Sequence, residues 1–308
     1  MFADFAGPAY GPVGVGRVTK DELAGVLTHI KRPPVRVWHD GMMNSAALPF
    51  HVVRRRELVW PREHGSWSLV LEPLAFGLLI APSLAGLGLA LAGLAGFFAR
   101  RPLQIAVNDP SPTRRAAARA PLAALTMAAG GLFLIAGVAG GGGAWLGWLA
   151  PIAAAVTVFL WFDLRGEGRA EIAEVAGAAA FALVPALLAA RAGWSAPAAL
   201  AAALVMGGRS VPTVLTVRAY LRAEKSGERR GAPAVAVNIL AVAAGVGVVR
   251  AGFAPPAVAV MLALLAVRGG GLLIWPRPSL RARTVGIMET LLGVGFVAVA
   301  AFAWRALP

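Results

Sequence analysis

The stretch SWSLVLEPLAFGLLIAPSLAGLGLALAGLAGFFA, from Ser66 to Ala99, carries one ionisable side chain, Glu72, and its chief interruption is Pro82-Ser83. About 20 consecutive apolar residues cross the hydrocarbon of a bilayer. The stretch therefore reads as two short crossings, 66–82 and 84–99, or as one crossing beside a re-entrant or tilted segment. Similar runs follow at 121–139, 144–162, 170–190, 196–217, 233–249, 256–275 and 284–304, the eighth run containing Arg268-Gly269-Gly270-Gly271.

Composition agrees with this pattern. Of 308 residues, 58% are hydrophobic and 14% charged, against roughly 45–50% and about 25% in soluble domains. One soluble core could not bury so many all-apolar segments. The sequence predicts an all-α polytopic transmembrane bundle of about nine helices, with residues 61–308 as the membrane domain and 1–60 as a cytoplasmic extension. In the extension, Thr19 and Glu22 form a capping box, and Leu23, Val26, Leu27 and Ile30 share one helical face. The helix ends before Pro33-Pro34 and reads as a tail helix resting on its own bundle, or else as a membrane-surface or partner-docking element. No long apolar stretch follows Met1, so no signal peptide is expected.

The net charge is +14, and there is no cysteine. The first fact would suit a nucleic-acid binder, but the arginines flank apolar spans and no aromatic stacking platform accompanies them. Positive-inside placement and anionic inner-leaflet lipids account for them, so no nucleic-acid partner is expected. The second excludes disulfides, thiolate nucleophiles and Cys-bound zinc. With nine spans and the N-terminus inside, the cytoplasmic loops receive Arg100, Arg114, Arg165, Arg222 and Arg281 with their neighbours, and the C-terminus is outside. The outer side keeps Arg191, Arg250 and Arg305. Trp145, Trp148, Trp194 and Trp304 fall near the outer boundary and Trp67, Trp161 and Trp275 near the inner one, as interfacial anchors would. The outer connections are short, so any chemistry should open toward the cytoplasm.

Ionisable groups inside or at the mouth of spans mark candidate sites. Glu63 and His64 precede the first span, and Glu72 lies within it. Asn108 and Asp109 stand in a proline-rich turn followed by Arg114 and Arg115. Glu167, Glu171 and Glu174 are spaced to share a helical face at the start of the fifth span, where Mg²⁺ could bridge them to a phosphate. Arg218, Arg222, Lys225 and Arg229 form a cationic face beside Tyr220, suited to an anionic headgroup. Arg209 sits within a span, with Glu289 as its natural counter-ion and Asn238 in reach of the same network. Glu63, Glu72, Asp109, Glu171, Arg209 and Arg218 are expected to converge on one chamber.

The run Pro61-Arg62-Glu63-His64-Gly65-Ser66-Trp67 resembles the opening of the membrane domain in the YwiC-like family of bacterial membrane proteins. Arg100-Arg101-Pro102-Leu103, Val217-Arg218 with Tyr220-Leu221-Arg222, and Val285-Gly286-Ile287 with Glu289 are similar too. The resemblance implies a multi-pass protein of the bacterial plasma membrane and supplies no mechanism. A more distant likeness, in helix number and in the place of two polar loops, is to UbiA-type intramembrane prenyltransferases, which bind an isoprenoid diphosphate through Mg²⁺ and Asp-rich loops. Here Asn108-Asp109 matches the start of the first such motif, and the second loop offers Arg218 and Arg222 instead of aspartates.

Three functions follow. The first is an enzyme or binder acting on an isoprenoid or lipid phosphate, with Glu72, Glu171 and Glu174 as acid/base or metal groups. In that reading Arg115, Arg209, Arg218 and Arg222 hold the phosphate. The second is a small-solute or proton-coupled transporter, and the third a non-catalytic membrane partner.

Overall fold

Pro82 ends one helix and Ser83 begins the next. Ser83 is extended (φ −157°, ψ 150°), and its Oγ accepts the Gly86 N–H at 2.9 Å, satisfying one of the donors that a helix start leaves unpaired. The computed structural model describes residues 55–60, 66–139, 142–227, 231–274 and 280–306, all within the unit Val52–Pro308. The helix expected at 19–30 lies outside them.

Among the described residues the chain is helical and has no strand. A short α1 (Arg55–Val59) precedes α2 (Ser66–Ile80), α3 (Leu84–Asn108) and α4 (Pro112–Val138). A 3-10 turn, Gly143–Trp148, leads into α5 (Leu149–Leu164). Then come α6 (Glu171–Ala182), α7 (Val184–Arg191), α8 (Ala196–Ser226), α9 (Ala232–Arg250), α10 (Pro256–Ile274) and α11 (Ala282–Arg305). Eight described segments are long and apolar enough to cross a membrane, α6 and α7 together forming one of them. The protein is a polytopic helical membrane bundle.

Three details depart from the expected spans. The 15 residues of α2 rise about 22 Å, short of the roughly 30 Å of a bilayer core. Helix α3 continues past Ala99 through the Arg100-Arg101 pair to Asn108. The run 170–190 is broken at Leu183, because Pro185 has no N–H to continue the ladder and instead sits in the first turn of α7.

Helix α8 is the hub, packing against α2, α6, α7, α9, α10 and α11. Burial sets α8 and the α6–α7 segment apart from the rest: 61% of the apolar window in Glu171–Arg191 and 56% of that in Ala196–Lys225 are buried, against 6% in Pro112–Val138 and in Gly143–Leu164. The latter two present apolar side chains outward, as lipid-facing helices do. Where α8 is most enclosed it is built from Ala199, Ala201, Ala202, Ala203 and Val205, packed on Phe76, Val258, Leu262 and Phe296. Small residues let membrane helices approach closely and gain van der Waals contact where no hydrophobic driving force separates helix from lipid.

Two arginines at the end opposite the arginine-rich loops close helix termini. Arg305 Nε donates to the Leu79 carbonyl at the end of α2 (2.7 Å), and Arg191 donates to the Ala136 carbonyl at the end of α4 through Nε (3.2 Å) and Nη2 (3.0 Å). The last carbonyls of a helix have no partner within it, so each guanidinium satisfies an orphan acceptor. Trp145 and Trp304, expected as interfacial anchors, are buried instead: Trp145 meets Phe133 edge-on and Trp304 meets Phe76. Trp161 is exposed and lies 3.9 Å beneath the Arg165 guanidinium.

Because the chain has no cysteine, single cysteines report topology without background. Thr113→Cys, Glu167→Cys and Glu224→Cys are expected to react with a membrane-impermeant maleimide only after cells are opened. Ala144→Cys, Ser195→Cys and Ala251→Cys should react on intact cells. Mixed labelling within either set would contradict the arrangement.

Candidate functional site

Arg209 is 2% exposed, more than one turn from either end of α8. A guanidinium cannot shed its charge at any accessible pH, so burial obliges it to find counter-charges. Its Nε lies 3.4 Å from Glu72 Oε2 on α2, and its Nη1 lies 3.6 Å from Glu289 Oε2 on α11. Nη2 donates to the Glu289 backbone carbonyl at 2.9 Å and reaches Glu72 Oε1 at 3.4 Å. Arg268 on α10 forms an ion pair with Glu289 Oε1. Two carboxylates and two guanidinium groups from four helices thus form a tetrad with no net formal charge.

Gly293 makes room for it. A Cβ at this position would overlap the Glu72 carboxylate, so the close approach of α11 to α2 requires glycine. Thr213 completes the Arg209 environment: its hydroxyl accepts from Nη1 and donates to the Arg209 carbonyl at 2.7 Å.

Beside the tetrad lies a cavity of about 10 Å³, lined by Arg209, Thr213, Thr216, Asn238 and Arg268 together with Gly208, Pro212 and Gly269. That is near the lower limit for a single water. Pro212 has no N–H for the Gly208 carbonyl one turn back, so the helix wall is itself short of a hydrogen bond there. Asn238 Nδ2 donates to Thr216 Oγ1 (3.1 Å) and to the Ala234 carbonyl (2.8 Å).

A second group stands at the arginine-rich end. Arg218 Nη1 pairs with Glu174 (2.6 Å) and donates to the Arg169 carbonyl (2.8 Å), while Arg222 pairs with Glu171 (3.1 Å). Glu167 does not share their helix: Gly166 turns with φ +78° and α6 starts at Glu171, so the expected three-carboxylate face is reduced to two acids, both paired with arginine. Among the described residues no three metal-ligating side chains stand together, and these two carboxylates are a poor fit for Mg²⁺. Tyr220 is buried, its hydroxyl accepting the Leu280 N–H at 2.9 Å. Lys225 is exposed in the last turn of α8.

The third group is a set of helix-end ties. Asp109 accepts the Ser111 N–H (3.0 Å) and pairs with Arg114 (3.4 Å), Ser111 caps α4, and Asn108 Nδ2 donates to the Leu164 carbonyl (2.6 Å). Arg115 is exposed. Nearby, Asp163, 1% exposed, takes two hydrogen bonds from Arg100, at 2.6 and 3.0 Å. Gly168 packs so closely on Asp163 that a Cβ there would overlap its carboxylate.

Residues 60–189 match the model of the YwiC-like protein family. Over that region the chain is similar to YwiC-like proteins. No curated protein and no solved structure matches it. The YwiC-like region supplies Glu72, Asp163, Glu171 and Glu174, whereas Arg209, Arg218, Arg268 and Glu289 lie beyond it, so both charge groups join the region to the C-terminal helices.

The site residues named from the sequence therefore fall into three contact groups. Arg209 and Arg218 are nine positions apart, about 13 Å along α8, which separates the tetrad from the second group. Glu63 and His64 lie outside the described residues, as do Arg229 and Trp275. Sequence reasoning did not single out Asp163, Arg268, Thr213 or Thr216. For Asp163 and Arg268 the available signal was a lone charge at the end of, or inside, an apolar run; the two threonines carried none.

Gly293→Ala is expected to cost about 1–3 kcal/mol, as overpacking does, read as a lower unfolding temperature in detergent. In a Glu72→Ala background the same change should cost much less, a non-additivity that contact between the two predicts. Equal costs in both backgrounds would place the carboxylate elsewhere.

Proposed function

We propose that this membrane protein is a proton-coupled transporter of a small solute, with the Glu72–Arg209–Glu289–Arg268 tetrad as its coupling centre. The observation that carries this reading is the enclosure of a permanent cation between two acids contributed by different helices. Ionisable side chains within spans are costly and tend to mark ion or proton pathways. A carboxylate that takes up a proton loses its hold on the guanidinium, so protonation and helix arrangement are linked through one contact. Both α2 and α8 stay continuous through a proline near the tetrad, Pro73 and Pro212, and each proline leaves the carbonyl one turn back without its helical donor.

A second reading, an isoprenoid- or lipid-phosphate binder open to the cytoplasm, draws on Arg218 and Arg222, whose side chains remain partly exposed. A phosphate there would have to displace Glu171 and Glu174. In this reading the acids release the arginines to an anionic headgroup and no metal takes part.

Purified protein in proteoliposomes loaded with a pH-sensitive dye separates the two. With gradients of small anions, cations and neutral solutes, at least one is expected to move protons, and Glu72→Gln or Glu289→Gln should abolish that movement in protein that still elutes as a single folded species. Absence of proton movement with every solute would reject the transporter. Saturable binding of an isoprenoid phosphate, lost in Arg218→Ala and unaffected by Glu289→Gln, would establish the second reading in its place.

A further inference from the structure

We infer that the cavity between α8, α9 and α10 binds one water molecule, which takes the place of the main-chain hydrogen bond that Pro212 removes from α8. The inference does not depend on the transporter reading.

The helix itself creates the need. In α8 the Gly208 carbonyl would accept the N–H of residue 212, and Pro212 has none. Gly208 and Pro212 both line the cavity. A carbonyl at membrane depth is costly unless some group donates to it. Where proline interrupts a transmembrane helix, a neighbouring side chain or an ordered water supplies the donor. Thr213 does not serve, because its hydroxyl donates to the Arg209 carbonyl. Among the described residues no other side chain donates to Gly208.

The other polar groups on the wall complete a set for water. Asn238 Nδ2 donates to Thr216 Oγ1 and to the Ala234 carbonyl. Its Oδ1 is left as an acceptor that no described residue uses. Thr216 is 2% exposed and accepts from Asn238, and among the described residues its own hydroxyl proton has no acceptor. A water here donates to the Gly208 carbonyl and to Asn238 Oδ1 and accepts from Thr216. That gives it three hydrogen bonds, about the usual number for a buried water.

Charge and size exclude the alternatives. Arg209 and Arg268 stand on the wall and repel a metal or ammonium ion. Both are already paired with Glu72 and Glu289, and the acceptors beside them repel an anion. The volume of about 10 Å³ is at the lower limit for one water and admits nothing larger. What fits is a neutral molecule of water size that can donate twice. Through Arg268, which lines the cavity and pairs with Glu289, that molecule stands one side chain away from the tetrad's second acid.

A crystal structure grown from lipidic mesophase, at a resolution that shows ordered water, tests this directly. One peak is expected at hydrogen-bond distance from the Gly208 carbonyl, Asn238 Oδ1 and Thr216 Oγ1. It should be lost in Gly269→Ala, whose Cβ would stand 3.3 Å from Asn238 Oδ1 and 3.4 Å from Thr216 Oγ1. Exchange into bromide or rubidium should leave no anomalous signal there. No peak in a map that resolves other waters, a side chain donating directly to Gly208, or an anomalous signal from either ion would each overturn the inference. The unfolding temperature in detergent gives a second readout. Gly269→Ala should lower it by a few degrees, because the Gly208 carbonyl loses its donor. In a Pro212→Ala background, where residue 212 regains its N–H, the same change should lower it much less, a non-additivity expected of groups that share a partner. Equal falls in both backgrounds would assign the loss to crowding of Asn238 and Thr216, and the water bridge would be rejected.

Discussion

A guanidinium held away from water has to bring its counter-charges with it, and much of the bundle interior follows from how Arg209 does so. Its charge cannot be neutralised by losing a proton, and the loss of hydration is of the kind that leaves an unpaired buried ion several kcal/mol unfavourable. Glu72 and Glu289 meet that demand from α2 and α11, and Arg268 in turn balances the second acid. The demand reaches the packing as well. Glycine at 293 lets α11 come against the Glu72 carboxylate, and the alanine-rich stretch of α8 lets its neighbours draw near. Four helices are therefore held in register by charge at one level and by small residues at another.

The charge pairs at the arginine-rich end have a different character. Arg100 with Asp163, Arg222 with Glu171 and Arg218 with Glu174 each join the end of one helix to a neighbour in space. So does the amide of Asn108 on the Leu164 carbonyl. Part of the strongly basic composition is consumed internally in this way, in addition to whatever the lipid surface attracts.

The bundle was legible in the sequence because apolar length is a strong signal and each span lies in a run of it. Boundaries were less so. Helix α3 continues beyond its apolar portion because arginine is a good helix former, and it runs through Pro102, a residue that disfavours a helix interior, to Asn108. The glycines at 166 and 168 removed Glu167 from the helix that spacing alone had assigned to it. Trp145 and Trp304 sit at the expected level along their spans, but the periodicity of an all-apolar helix does not say which side faces lipid. For the site, Arg209 and Glu289 stood out as isolated charges in apolar runs, and the structure pairs them. Asp163 lies one residue past the expected span 144–162 and three before the Gly166 turn, where a charge at a span end is ordinary. The expected convergence on one chamber did not allow for the length of α8, which carries Arg209 and Arg218 at different depths.

The capping roles of Arg191 and Arg305 bear on how the chain enters its membrane. Each cation sits against the negative end of a helix dipole, so its field is largely cancelled locally. Orientation during insertion responds to the imbalance of positive charge between flanking segments. With those two residues neutralised in place, the contrast between the poles of the folded bundle is steeper than a residue count gives. Both caps are made within the chain, so they hold whichever way the bundle lies, and the end that carries them presents few free cations to the membrane surface.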